Sequence, residues 1–204
     1  MRAPAKLHLA SSNPGKLAEF RALAAEGLAN ARFSLETLPN FTLPPFEENA
    51  PTFGENALGK ALHYSRFCDA VVFADDSGLV VPALGGAPGV LSARYAGVNA
   101  TNEERIAKLL SEMQDLRGTA REGHFVCVIA AAQSGRGVAI VSDDVDGEVL
   151  DAPRGRGGFG YDPVFYFSAL GKSFAELSGE EKNRHSHRGK AFRRLLAALR
   201  PLRR

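Results

Sequence analysis

An α/β fold built on a mixed sheet is what this 204-residue sequence predicts, on three observations. Its first half alternates short apolar runs with segments of helical spacing. Its middle carries two long strand-like runs parted by Gln133-Ser134-Gly135-Arg136-Gly137. A content of 45% apolar and 24% charged residues is the balance of an ordinary globular chain. Alternating strands and helices favour parallel pairing, whereas a short glycine-bearing connector favours a hairpin. A single domain over residues 1–204 is expected, with no internal repeat and no interdomain linker.

Lys6 to Ser11 reads as the first strand, and Pro14 to about Leu28 as a helix whose Leu17, Phe20, Leu23 and Ala24 share one face. A strand over Phe33 to Leu38 follows. Asn40 to Pro51, rich in proline and acid, reads as a loop before a helical segment from Thr52 to Cys68. The apolar run Ala70 to Ala74 is then a buried strand, closed by Asp75-Asp76. Leu84-Gly85-Gly86-Ala87-Pro88-Gly89 predicts a shaped loop, because it combines flexible glycines with a residue that cannot donate a backbone hydrogen bond. Thr101 to Met113 is a helix capped by Thr101 or Asn102, burying Ile106, Leu109, Leu110 and Met113. Strands over Gly123 to Ala132 and Val138 to Asp144 form a hairpin, with a short continuation through Gly147 to Leu150. A glycine-rich loop, Pro153 to Pro163, precedes a last helix from about His187 to Arg200.

Composition narrows the classes of function. A formal charge of +2 is too small to argue for nucleic acid, although Arg193, Arg194, Arg200, Arg203 and Arg204 crowd the end of the chain. No run approaches the roughly 18–20 apolar residues of a membrane span. The segment Met1 to Lys6 has no long apolar region of a signal peptide, so a cytoplasmic location is expected. Cys68 and Cys127 lie among apolar residues without metal-ligand spacing and read as buried free thiols.

Five segments carry chemistry. Adjacent anions at Asp75-Asp76 repel each other and lose hydration when buried, so they call for a cation or several hydrogen-bond donors. Oxygen ligands of this kind suit Mg²⁺, which commonly joins one or two carboxylates to substrate phosphates. An acidic turn ending a strand is the plain alternative. In Ser11-Ser12-Asn13-Pro14-Gly15-Lys16, Asn13 suits the N-cap and Pro14 the first helical position. Lys16 then lies at the positive end of a helix dipole, a conflict that a bound phosphate would remove. The Gly155 to Pro163 loop sets Phe159 and Tyr161 among glycines, either as platforms for stacking on a base or as aromatics tucked into the core. Downstream of Lys182, Ser186-His187-Arg188 opens the last helix, with Ser186 as its N-cap and Arg188 and Lys190 again putting positive charge where a helix begins. Glu47-Glu48 completes a metal site only if its loop folds toward the acidic pair.

These segments, in this order, resemble the inosine triphosphate pyrophosphatase family across nearly the whole chain. The resemblance rests on Ser11 to Lys16, Phe53-Gly54-Glu55-Asn56-Ala57, Ala74 to Leu79 with Leu84 to Gly89, Ser92-Ala93-Arg94-Tyr95, Gly158 to Pro163, and Glu181-Lys182 with Ser186-His187-Arg188. It implies an elongated α/β fold with two lobes around a central nucleotide-binding cleft, and a Mg²⁺-dependent homodimer without a stable nucleic-acid or membrane partner. It further implies hydrolysis of dITP, ITP or XTP to the monophosphate and pyrophosphate. In that scheme Asp76 and Glu48 hold Mg²⁺, and Asp76 or Asp75 acts on the attacking water. Ser11, Ser12, Asn13, Pro14, Gly15, Lys16, Ser77, Phe159, Gly160, Tyr161, Asp162, Lys182, His187 and Arg188 contact the nucleotide. Lys16 and Lys182 are expected on phosphate, His187 and Arg188 near the purine. Two rivals are a septum-inhibitor-like pyrophosphatase acting on modified pyrimidine nucleotides and a noncatalytic nucleotide- or RNA-binding module.

Overall fold

Strand pairing follows the predicted mixture. The computed structural model describes residues 5–27, 33–38 and 43–200. The start of the expected loop at Asn40, the N-terminal residues 1–4, Leu28, Arg203 and Arg204 fall outside the described residues. A seven-stranded sheet has the order β2-β1-β3-β4-β5-β6-β7. Its members are β1 (Ala5–Leu9), β2 (Phe33–Thr37), β3 (Val71–Val80), β4 (Glu122–Gln133), β5 (Arg136–Val149), β6 (Phe165–Phe167) and β7 (Lys172–Ser173). The flanks are α1 (Pro14–Gly27), α2 (Phe53–Tyr64), α3 (Asn102–Glu112), α4 (Gly179–His185) and α5 (His187–Leu199). β1 pairs in parallel with β2 and β3, whereas β6 pairs antiparallel with β5 and β7. Among the described residues no helix is long and apolar enough to cross a membrane.

The chain divides into two compact units, with boundaries inside β3, β4 and β5 and between His187 and Arg188. In the first unit, strand parity sorts the core. Leu7, Leu9, Phe73, Cys127, Ile129 and Ala131 lie with α1 and α5 in one cluster. Val72, Ala74, Ala130 and Ala132 lie with Ala57 and Ala61 of α2 in another. Successive side chains of a strand point to opposite faces, so β3 serves both. Phe20, Phe73 and Phe192 join edge to face or tilted at 5.2–5.6 Å between ring centroids, tying α1 and α5 to the sheet.

The second unit has its own core, in which Leu79, Leu109, Met113, Val149, Phe165 and Phe174 are fully or almost fully buried. Buried Arg121 stitches it by donating to the carbonyls of Met113, Val149 and Leu150 at 2.7–2.9 Å.

Several boundaries differ from the sequence reading. β3 runs through the acidic pair to Val80 instead of ending before it, because Leu79 and Val80 resume the apolar pattern. The β4–β5 turn is tighter than five residues: Ser134 and Gly135 both have positive φ, the type I′ geometry that matches strand twist. Thr101, not Asn102, caps α3 in a full capping box. Ser186 closes α4, a helix the sequence reading missed, directly before α5 starts. Cys127 is buried but Cys68 only half so, and both thiols are free.

Gly147 supplies a test of this packing. A Cβ there would lie 2.5 Å from the Phe165 ring and 2.6 Å from the Tyr166 carbonyl. Gly147→Ala is expected to destabilise the fold by about 1–3 kcal/mol, read in a thermal melt as roughly 2–4 °C per kcal/mol.

Candidate active site

Asp75 and Asp76 occupy adjacent positions of one buried strand and therefore face opposite ways. Asp75 follows the parity of Phe73, toward α1 and α5; Lys16 Nζ lies 3.0 Å and Arg188 Nε 3.5 Å from its Oδ2. Arg188 in turn pairs with Glu19 of α1 at 2.5 Å. Asp76 follows the parity of Ala74, toward α2, where Asn56 Nδ2 donates to its Oδ2 at 3.0 Å.

The two carboxyls consequently titrate in opposite directions. Burial alone would raise the pKa of Asp75, but Lys16, Arg188 and Lys60 outweigh it and hold this carboxyl well below the usual range. Burial pushes Asp76 upward, and Glu48 adds to the rise against the opposing effects of Lys16, Asn56 and Lys60.

The proline-rich loop does fold back. Asn56 pins it through Ala50, accepting from that residue's amide at 2.9 Å and donating to its carbonyl at 3.3 Å, while the Phe46 amide donates to the Tyr64 hydroxyl. Glu48 thereby meets Lys60 Nζ at 2.5 Å, and the same ammonium donates to the Asp75 carbonyl at 2.8 Å. Glu47 stays exposed and accepts from Asn49. Glu48 is thus the glutamate near the acidic pair.

At the start of α1, Asn13 Oδ1 accepts the Lys16 amide at 3.1 Å, the expected N-cap, with Pro14 in the first helical position. Ser11 Oγ accepts the Asn13 amide at 3.3 Å. Ser12, Asn13 and Pro14 are exposed, Ser11 and Gly15 half-buried. The lysine at the positive end of the helix has an internal answer: Asp75 supplies the anion for which the sequence reading invoked a phosphate.

The remaining candidates except Arg188 lie in the second unit. Ser77 is half-buried on β3. Asp162 Oδ2 accepts the Phe159 amide at 2.7 Å and pairs with Lys182 Nζ at 2.5 Å. Lys182, expected on phosphate, is thus buried beside a carboxylate. Gly160 takes a positive φ of 62° in the turn. Tyr161 is packed in the core with its hydroxyl donating to the Ser92 carbonyl at 3.0 Å, so its ring is not the open platform that was one of its two readings. His187 is buried and stacked on Phe125 at 4.7 Å. Arg188, expected near a purine, is buried against Glu19 and Asp75 in the first unit.

Glu19 and Lys60 were missed by the sequence reading, and Asn56 entered it only as part of a motif. Their signal was present for α2: Asn56 and Lys60 stand four apart on the face that buries Ala57 and Ala61, where an unpaired polar side chain would be costly. Glu19 carried no such mark.

A divalent cation fits the α2 side of the pair. Asp76 and Glu48 are oxygen donors that repel each other, and burial opposes charge on Asp76. Among the described residues no three His, Cys, Asp or Glu side chains cluster as a closed metal cage. Mg²⁺ does not need one, since it typically takes one or two carboxylates together with phosphates and water.

A mixed α/β sheet with an acidic pair on an interior strand, its two carboxyls facing opposite ways, defines the class. The chain matches the Ham1 family model over residues 7–198. Proteins named dITP/XTP pyrophosphatase from Thermus thermophilus and Geobacillus kaustophilus are each 49% identical to it, over 95% and 92% of this chain and 91% and 90% of theirs. A solved HAM1 protein from Coxiella burnetii is 40% identical with a TM-score of 0.85, covering 96% of this chain and 98% of that one. For the Ham1 protein of Staphylococcus aureus the values are 37%, 0.80, 97% and 100%. This chain belongs to the Ham1 family.

Opposite roles for the two carboxyls predict opposite effects on stability. Asp75→Asn removes the carboxylate charge that faces half-buried Lys16 and buried Arg188 and is expected to cost about 3–5 kcal/mol in urea unfolding. Its contribution, present above the ordinary carboxylate range, disappears only as pH falls through its depressed folded value. Asp76, raised in the fold, loses stability as it ionises, so in metal-free buffer at neutral pH Asp76→Asn is expected to be neutral or stabilising.

Proposed function

We propose that this protein hydrolyses non-standard purine nucleoside triphosphates, dITP, ITP and XTP, to the nucleoside monophosphate and pyrophosphate. Its relatives in the Ham1 family include proteins named for dITP and XTP. The observation that carries the reading is the division of labour at the acidic pair, with one carboxyl locked by cations and its neighbour held in a setting that disfavours its charge.

In this scheme Asp76 and Glu48 hold Mg²⁺, and Asp76 orients the attacking water and accepts its proton. When bound, the ion neutralises triphosphate charge and polarises the scissile phosphoanhydride. Asp75, buried and paired with Lys16 and Arg188, is a positioning group rather than the base. The exposed turn Ser11 to Pro14 and the first amides of α1 receive phosphate oxygens, favoured by the helix dipole. Stabilisation of phosphate charge and positioning then account for much of the rate.

The purine is assigned to the Phe159 to Asp162 segment and to His187, with Ser77 as a further nucleotide contact. A site whose donors meet a 6-oxo group leaves buried donors unpaired against the 6-amino group of adenine, a mismatch that can reject an analogue by about 10⁴-fold. We assign the whole chain to one catalytic domain, working as a cytoplasmic homodimer without a stable nucleic-acid partner.

Incubation of the purified protein and Mg²⁺ with dITP, XTP, dGTP, dATP and dUTP is expected to release pyrophosphate from dITP and XTP. Orthophosphate, a preference for dUTP, or no turnover would overturn the reading. Asp76→Asn should lower kcat by roughly 10²–10⁴-fold with its circular dichroism unchanged, and chelation of the metal should silence the wild type.

A further inference from the structure

Among the described residues no helix or strand falls between β2 and α2, so the place of the loop that carries Glu48 is set by what it touches. What it touches is α2. Asn56 meets Ala50, and the Phe46 ring lies over Gly59, where a Cβ would come within 2.6 Å of its Cζ. Lys60 pairs with Glu48 at 2.5 Å. His63 Nε2 lies 2.8 Å from the Pro44 carbonyl oxygen, and the Tyr64 hydroxyl accepts the Phe46 amide at 3.3 Å. Positions 56, 59, 60, 63 and 64 stand at i, i+3, i+4, i+7 and i+8, the spacing of a single helical face.

Asn56 holds more than the loop. It is 1% exposed, and its amide offers one acceptor oxygen and two donor hydrogens. The oxygen takes the Ala50 amide at 2.9 Å, while Nδ2 serves the Ala50 carbonyl at 3.3 Å and Asp76 Oδ2 at 3.0 Å. Anchoring the loop needs only the two bonds to Ala50; the third is directed at the carboxyl. We propose that this face of α2 is a docking track for the loop, and that Asn56 is a positioning residue that yokes the loop to Asp76 so that Glu48 and Asp76 serve one divalent cation.

The use of the two carboxylates rests on the Mg²⁺ reading above, whereas the docking track does not. Two variants leave both carboxylates in place. Asn56→Leu keeps most of the volume and removes all three hydrogen bonds. Gly59→Ala favours the helix, while its methyl displaces the Phe46 ring, so a loss there cannot come from a weakened α2. In protein free of metal and nucleotide, hydrogen exchange is expected to speed up roughly tenfold or more at the Ala50 amide in Asn56→Leu and at the Phe46 amide in Gly59→Ala.

Binding of Mn²⁺ to the nucleotide-free protein, read by electron paramagnetic resonance, should weaken about 10–100-fold in Asn56→Leu, the usual cost of losing a group that orients a metal ligand, and less in Gly59→Ala. The Mg²⁺ concentration for half-maximal hydrolysis of dITP should rise by a similar factor, with KM for dITP at saturating Mg²⁺ little changed. Unchanged exchange at either amide would overturn the docking track. Faster exchange with unaltered Mn²⁺ affinity, or Mn²⁺ binding that survives Asp76→Asn intact, would overturn the role of Asn56. A wild type that fails to hydrolyse dITP while its variants show the exchange and Mn²⁺ changes would overturn the activity and leave that role standing.

Discussion

The neutralisation of Asp75 is the constraint on which the first unit depends. A carboxylate with no exposed surface, on a strand packed on both sides, carries a desolvation penalty that only nearby cations offset. Those cations come from separate stretches of sequence: Lys16 at the start of α1, Arg188 at the start of α5, and Lys60 of α2, which donates to the Asp75 carbonyl. Three helices are thereby held to one point of β3. Glu19 balances the surplus positive charge on Arg188, so the network alternates in sign as it passes from helix to strand.

Strand geometry turns this structural network into a chemical asymmetry. One residue further along β3, Asp76 looks toward α2, where it accepts from the Asn56 amide and Glu48 adds to the upward push of burial on its pKa. A backbone period of two does what no difference in residue type could, since both side chains are aspartate. The folded proline-rich loop then decides which glutamate takes part. Asn56 binds both the loop and Asp76, so the geometry of Glu48 and that of the carboxyl it faces are set by the same side chain.

Much of this was legible in the sequence, and the omissions have physical reasons. Apolar spacing located α1, α3, α5 and the paired strands, because each buries one regular face. The N-cap at Asn13 was readable for the same local reason. Short elements were not: α4 spans seven residues and β7 two, too few to establish a period. The acidic pair was placed at the end of a strand because charge normally marks a boundary, whereas distant cations allow β3 to continue through it. Arg188 shows the same limit. Its neighbours in sequence suggested a ligand, but its partners are Glu19 and Asp75, more than a hundred residues away, and no local pattern announces such a contact.

Two lysine pairs to a buried carboxylate, Lys16–Asp75 and Lys182–Asp162, recur in the separate units, and stability is a weak explanation for either. Replacing such a pair by apolar side chains of similar volume is often neutral or favourable. What apolar groups cannot do is direct a donor or acceptor at a chosen atom. Asp75 shares its charge among Lys16 and Arg188 while its backbone carbonyl takes Lys60, and Asp162 uses one oxygen for both an ammonium and a backbone amide. Each carboxylate therefore fixes the position of other groups as well as its own. That directional constraint is what an ion pair supplies at these two places and hydrocarbon of the same volume would not.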